Sequence, residues 1–174
     1  MIKKVSLLIG AVSALSLVAC QSMEHGTGQK ASANLDSRSG SNAKGAVNFV
    51  WQGHDVLVTG NFSGLKPNAE QGFHVHEKGD CSAPDATSAG GHFNPGTKSH
   101  GVPDSGSNHA GDMPNIKSDA NGNAVYSAKL SGFAVDSGPT GILGRSVVVH
   151  RDPDDYKSQP AGNSGPRIAC GLIR

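Results

Sequence analysis

A long central segment, Lys78 to Asp119, limits the folds open to this chain, because it contains hardly an apolar run. The segment consists mainly of Gly, Pro, Ser, Asp and His, and most of these residue types favour turns. A stretch of this kind inside a compact domain is usually functional, or it is held by something other than a hydrophobic core. The chain must therefore fold into an architecture that tolerates long loops, and this loop needs its own source of stability.

Six short segments have the apolar or alternating pattern of β-strands. They are AVNFVWQ (46–52), VLVTGNFSGL (56–65), GFHVHE (72–77), NAVYSAKL (123–130), SVVVH (146–150) and RIACGLI (167–173). The first two are joined by the turn GHD, and KPNAEQ (66–71) reads as a loop. The chain has 174 residues, and its 24 glycines argue against long helices. We predict one all-β domain, a Greek-key sandwich or barrel with long loops.

The first twenty residues have the composition of a secretory signal, with two lysines followed by an apolar run and small residues. The run is too short to span a bilayer comfortably. Its end, Leu17 to Cys20, resembles the lipobox of bacterial lipoproteins, in which the cysteine is lipidated after cleavage; the alternative is an ordinary signal peptide. Gln21 follows the cysteine, and by resemblance to enteric lipoproteins this favours the outer membrane.

These features divide the chain into three parts. We predict a signal peptide over 1–19, lipidated Cys20 with a flexible tether over 20–42, and a folded domain over 43–174. The expected location is the cell envelope, on its periplasmic side or surface, with the lipid as the membrane partner. Removing 1–19 leaves a nearly neutral chain, which gives no reason to expect a nucleic-acid partner.

Cys81 and Cys170 remain once Cys20 is assigned to lipid. In an oxidising export compartment they are expected to form a disulfide, although two free thiols are the alternative.

The histidines are the strongest chemical signal in the sequence. His74 and His76 are two positions apart in a strand, so their side chains lie on the same face. Alone, this pair is weak evidence for a metal. Three more histidines and one carboxylate are spaced through the glycine-rich loop and complete a tetrahedral zinc set: His92, His100, His109 and Asp112.

Metal binding would supply the stability that the loop lacks, whereas the alternative is a solvated loop with incidental histidines. His150 ends a strand and forms a second, imidazole-only set with His74 and His76, a donor type suited to copper.

Five motifs resemble the copper-zinc superoxide dismutases in order and largely in spacing. They are GFHVHEKGD, SAGGHFNP, HGVPDSGSNHAGDMPNI, GRSVVVH and GPRIACG, which together extend over roughly 44 to 173. A single match would be weak, but five in the same order are specific. The resemblance implies a flattened, eight-stranded Greek-key barrel of the immunoglobulin-like sandwich type.

The resemblance also implies the role of each site residue. Copper would be bound by His74, His76, His92 and His150, and zinc by His92, His100, His109 and Asp112. His92 would bridge the two metals and exchange a proton during turnover. Asp154 would orient one histidine on each metal, Arg167 would guide the anion, and Cys81 and Cys170 would form the disulfide.

The implied activity is the disproportionation of superoxide to dioxygen and hydrogen peroxide by a redox-cycling copper, as antioxidant defence. The loop between His150 and Arg167 is short for the family, so Arg151 and Lys157 are only loose substitutes for its guiding charges. The sequence also ends without the tail that helps form the animal dimer, which leaves a homodimer open.

Two other functions compete with the dismutase. A non-catalytic envelope lipoprotein that binds copper or zinc on the same scaffold should have lost a ligand, lost the arginine or gained an extra Cys/Met metal motif, and none of these is seen. A zinc-only structural domain would not need the second histidine set. His25 and His54 lie outside every motif and are expected to be surface residues.

Overall fold

The computed structural model describes residues 28–174, and it consists of eight strands with one short 3-10 helix, Thr87–Ala89. The strands are β1 (Lys30–Ser37), β2 (Lys44–Trp51), β3 (Val56–Ser63), β4 (Glu70–His76), β5 (Asp112–Lys117), β6 (Ala124–Leu130), β7 (Ser146–His150) and β8 (Arg167–Leu172). Over these residues the structure contains no helix long and apolar enough to cross a membrane.

All neighbouring strands are antiparallel, in the order β5-β4-β7-β8-β1-β2-β3-β6. β1 connects the two halves, because it pairs with β2 along most of its length and with β8 at Asp36 and Ser37. The strands form a nearly closed barrel, and the predicted Greek-key barrel is confirmed. The sequential neighbours β4 and β5 are joined by the long loop, and β7 and β8 by the second loop.

The prediction of a flexible tether up to residue 42 is wrong for the part that the structure describes. Lys30–Ser37 forms β1, in which Ala31, Ala33 and Leu35 are buried and the residues between them face outwards. The strand has the period of two expected for a half-buried sheet, but two of its three inward side chains are only methyl groups. Because the strand is so weakly hydrophobic, its sequence pattern did not indicate a strand. The predicted signal peptide and Cys20 lie outside the described residues.

β5 is a second strand that the sequence patterns missed, since it lies inside the loop predicted from Lys78 to Asp119. It contains a proline, and only Met113 and Ile116 among its residues belong to the apolar core. It pairs with β4 across a register shift between Gln71 and Phe73. The strand matters for function because its first residue, Asp112, belongs to the predicted zinc set.

β4 is the strand that places the two paired histidines. Phe73 and Val75 point into the apolar core, where Phe73 makes edge contacts with Phe62 and Tyr126. Side chains alternate along a strand, so His74 and His76 project from the opposite face, under the two long loops. A closely packed barrel wall therefore fixes one side of the histidine cluster.

Candidate metal centre

Four histidines gather on the outer face of the barrel wall, and we call them the copper-type set. One ring nitrogen from each of four buried histidines lies within 4.8 Å of the others: His74, His76, His92 and His150. The residues come from β4, the long loop and the end of β7. The structure thus brings together the four residues that sequence reasoning placed in one set.

The protonation of two of these rings can be read from their hydrogen bonds. His76 Nδ1 lies 3.0 Å from the Gly90 carbonyl oxygen, and His150 Nδ1 lies 3.1 Å from that of Gly165. A carbonyl can only accept, so each Nδ1 carries the proton and donates it. The Nε2 atoms of His76 and His150 are then both bare acceptors, yet they lie 3.3 Å apart. Two lone pairs facing each other at this distance fit a shared cation.

The zinc-type set converges on one carboxylate. Three Nδ1 atoms approach Asp112 Oδ1, at 2.8 Å from His92, 3.1 Å from His100 and 3.4 Å from His109. The other oxygen of Asp112 accepts the backbone N–H groups of His109 and Gly101. One carboxylate oxygen surrounded by three imidazole nitrogens matches the donor set of a tetrahedral zinc site.

His92 belongs to both sets: its Nδ1 lies 2.8 Å from Asp112, and its Nε2 is buried without a partner among the described residues. Four buried ring nitrogens have no hydrogen-bond partner within the described chain: His74 Nδ1, His92 Nε2, His100 Nδ1 and His109 Nδ1. The last two lie near Asp112 without hydrogen-bond geometry. Buried polar atoms without partners are costly, whereas metal ligation uses such lone pairs. The residues therefore fit one ion in each set.

Asp154 connects the two sets, because it contacts one histidine of each. Its carboxylate lies 2.8 Å from His74 Nε2 and 2.9 Å from His100 Nε2, and it accepts the backbone N–H of Tyr156. These contacts leave Nδ1 of each ring directed at its own set, as expected for a group that orients metal ligands. Gly162 has φ +63° and packs so closely on Asp154 that a Cβ would overlap the carboxylate, so this position requires glycine.

Most of the imidazoles are held neutral, which is the form that binds metal. Burial and the neighbouring His74 lower the pKa of His92 to about 4, although Asp112 opposes the shift. Burial likewise lowers the pKa values of His74, His76 and His150. His100 is shifted in the opposite direction: burial lowers its pKa, but the carboxylates of Asp112 and Asp154 outweigh it and raise the value to about 9.

A cavity of ≈ 450 Å³ opens in front of the copper-type set and includes Arg167 in its wall. The guanidinium is held by two main-chain carbonyls, those of Ala86 and Gly90. Gly90 is also the acceptor for His76, so one carbonyl positions both the arginine and a histidine of the set. The cavity therefore places a fixed positive charge beside three imidazoles of the copper-type set, those of His76, His92 and His150.

The disulfide between Cys81 and Cys170 is present, which confirms that prediction. It ties the segment containing Ala86 and Gly90 to β8, the strand that begins at Arg167. Through this connection the bond fixes the carbonyls that hold the arginine. His54 is exposed in the β2–β3 turn, as predicted, and its ring contacts Asp55. His25 lies outside the described residues.

Several functional contacts were not foreseen. The carbonyls of Gly90 and Gly165 set the histidine tautomers, but the sequence gives no sign of which carbonyl a ring will meet. Asn115 on β5 holds the main chain of Asp154 through its carboxamide. The loosely expected guiding charges, Arg151 and Lys157, are not in the cavity wall that the described residues form, and Arg151 pairs with Asp152.

The matching family model and two similar proteins name the same family. The model of the copper/zinc superoxide dismutase family matches residues 43–173. Superoxide dismutase [Cu-Zn] 2 of Aquifex aeolicus is 46% identical over 134 residues, which cover 75% of this chain and 78% of the relative. Superoxide dismutase [Cu-Zn] of Saccharomyces cerevisiae is 44% identical over 137 residues, covering 74% and 88%. The crystal structure of the clock protein EA4 matches with a TM-score of 0.75 and 41% identity, over 87% of this chain and 98% of that one.

Proposed function

Since the chain belongs to the copper/zinc superoxide dismutase family, it disproportionates superoxide with copper and zinc, and we propose the role of each site residue and the place where the reaction occurs. The observation that carries the assignment is the pair of buried donor sets that share His92. The imidazole-only set, with His74, His76 and His150, suits copper. The set containing Asp112 suits zinc.

The chemistry requires that one superoxide lose an electron and a second gain one, with two protons consumed to form hydrogen peroxide. Copper bound by the imidazole set supplies a redox-active centre with two accessible oxidation states. Arg167 supplies a guanidinium that stays protonated and can hydrogen-bond a small dioxygen anion in the cavity. Because the net charge of the chain is only +1, this local charge supplies attraction that the whole molecule does not.

We assign proton transfer to His92. Its Nε2 is buried and has no partner among residues 28–174, and the residue lines the same cavity as Arg167. Nδ1 faces Asp112 within the zinc set, so Nε2 is the atom that can hold a proton and pass it to the product. The zinc set would hold the ring at Nδ1 and so keep it oriented.

Single-ligand variants test the assignment of the two sets. His150→Ala should lose copper and activity while it retains zinc, because His150 belongs only to the imidazole set. His109→Ala should lose zinc while copper still binds on the other side. Metal content measured by mass spectrometry separates these outcomes, with the exposed His54→Ala as the control. Loss of zinc on replacing His150, with copper retained, would reverse the assignment.

The proposed location is the cell envelope, with lipid attached at Cys20 and the outer membrane as the destination. The support is the sequence of the first twenty residues, in which a charged start, an apolar run and small residues precede the cysteine. Cys20→Ala should prevent incorporation of a labelled fatty acid into the protein. Ser22→Ala, two positions away, is the matched control. A Cys20→Ala protein that still incorporated the labelled fatty acid would refute lipid attachment at Cys20.

A further inference from the structure

Gln159 joins the two long loops of the molecule at the main chain of His100, in addition to the contact of Asp154 with the His100 ring. Its Oε1 accepts the backbone N–H of His100 at 2.9 Å, and its Nε2 donates to the His100 carbonyl oxygen at 2.9 Å. A neighbouring β-strand would make this same pair of main-chain hydrogen bonds. One side chain of the second loop thus replaces a strand that the glycine-rich first loop does not have.

The residues on either side of Gln159 show why this contact has consequences beyond His100. Pro160 and Ala161, which follow it directly, line the cavity in front of His92 and His150. On the other side of the clamp, the His100 ring approaches Asp112 with Nδ1. Gln159 therefore lies between a zinc-set histidine and the wall of the copper-side cavity.

The segment that carries Gln159 is braced internally, so it can transmit a constraint. Asp155 accepts the backbone N–H groups of Lys157 and Ser158, and its other oxygen accepts the Ser158 hydroxyl. Gly162 N–H donates to the Ser158 carbonyl oxygen at 2.7 Å. Within this closed turn, a displacement of Gln159 must also displace Pro160 and Ala161.

We propose that Gln159 is a positioning residue that fixes the main chain of His100 and thereby couples occupation of the zinc set to the cavity wall at Pro160 and Ala161. This rests on the assignment of zinc to the set containing His100. Gln159 itself touches neither the donor nitrogens nor the reacting atoms, so it acts only through the backbone. Its side chain lies at the surface, and both of its bonds to His100 are partly buried.

The test uses the purified full chain loaded with zinc alone, with Gln159→Leu as the main variant. Leucine has a similar size and no hydrogen-bonding groups. Amide hydrogen exchange at His100 should be at least about fivefold faster than in the wild type, since one hydrogen bond is lost. Zinc release to a chelator should be faster by a similar factor. Gln52→Leu, the same substitution in the exposed β2–β3 turn, should change neither rate.

Coupling to the cavity wall is read at the Gly162 amide, whose hydrogen bond to the Ser158 carbonyl oxygen closes the turn that contains Pro160 and Ala161. In the wild type, zinc should slow exchange at this amide by about fivefold, and in Gln159→Leu by less than about twofold. Gln159→Glu separates the two halves of the clamp, because it keeps an acceptor for the His100 N–H and loses the donor to the His100 carbonyl. It should leave His100 exchange near the wild-type rate and still weaken the effect of zinc on Gly162.

Wild-type rates at His100 and for zinc release in Gln159→Leu would overturn the positioning role. An undiminished effect of zinc on Gly162 in both variants would overturn the coupling. Amides in β2 and β3 report whether each variant is folded. None of these readouts involves copper or superoxide, so failure of the proposed catalytic roles and failure of this inference give different results.

Discussion

Asp154 orients one histidine in each metal set with its single carboxylate. It reaches His74 and His100 with separate oxygens, and the hydrogen bond to the Tyr156 amide keeps the carboxylate in place. Hydrogen bonds from both histidines stabilise the charged form and, despite burial, hold its pKa below the usual range. The carboxylate therefore stays ionised while it accepts from both rings.

Replacing Asp154 by Leu should lower the affinity for both metals. Both rings would lose the group that fixes their orientation, and loss of such a group typically lowers metal affinity by about 10- to 100-fold. Competition titrations with a chelator measure this, with Asp55→Leu in the exposed hairpin as the control. Weakening of only one metal would contradict the shared role of the carboxylate.

Arg167 is the residue expected to act on substrate without binding metal. Arg167→Ala should lower the rate of superoxide disproportionation and reduce its dependence on ionic strength, because screening acts on the charge that is removed. Metal content should not change. Arg167→Lys, which keeps a positive charge, should recover part of the salt dependence. An alanine variant with wild-type kinetics would exclude steering by this residue.

The metal-free protein should lose stability on acidification below about pH 6.5. The pKa of His92 is lowered from 6.5 to about 4 by burial and by His74, so between these values the unfolded chain binds more protons than the folded one. The pKa values of His74, His76 and His150 are also lowered, so these residues change the stability in the same direction. His100 has the opposite sign, because its pKa is raised to about 9, and its contribution is lost as the pH rises towards that value.

Urea denaturation of the metal-free chain at several pH values measures this dependence. The free energy of unfolding should fall from pH 7 towards pH 4, and the exposed His54→Ala variant should behave like the wild type. A constant free energy over this range would show that burial does not hold these imidazoles neutral.

At the scale of elements, β1 decides whether the chain before residue 43 belongs to the barrel. Leu35 is 2% exposed and packs in the main core. Leu35→Ala should therefore lower the free energy of unfolding by about 2–5 kcal/mol, as other buried leucines do. Asn34→Ala on the outer face of the same strand is the control and should stay within about 0.5 kcal/mol of the wild type. If both variants changed the free energy of unfolding by the same small amount, β1 would not contribute to the core.

The same scale shows what the sequence could predict. The six strands with apolar runs were recognisable because apolar residues either alternate along them, as in β2 and β3, or form a short continuous run, as in β7. β1 was missed because Ala31 and Ala33 carry too little apolar surface, and β5 because a proline interrupts its short core pattern. Histidine is rare enough for its clustering to be informative, so the donor residues could be found in the loops. A carboxamide such as that of Gln159 has no comparable sequence signal.

At the scale of the whole molecule, three kinds of constraint compensate for the long loops. The barrel wall fixes His74 and His76, the disulfide between Cys81 and Cys170 closes a separation of 89 residues, and two metal ions can hold the loop between β4 and β5. In the chain-entropy model a disulfide of this separation stabilises the fold by about 4–5 kcal/mol. Structural zinc adds folding free energy that the loop's few apolar residues do not supply.

The central claim is that this scaffold holds two different metals and that its activity follows one of them. The most direct measurement is the metal content of the purified protein together with its rate of superoxide disproportionation, before and after copper loading. We predict one copper and one zinc per chain, with a rate that rises in proportion to copper. Zinc alone, with no activity after copper is supplied, would contradict the claim.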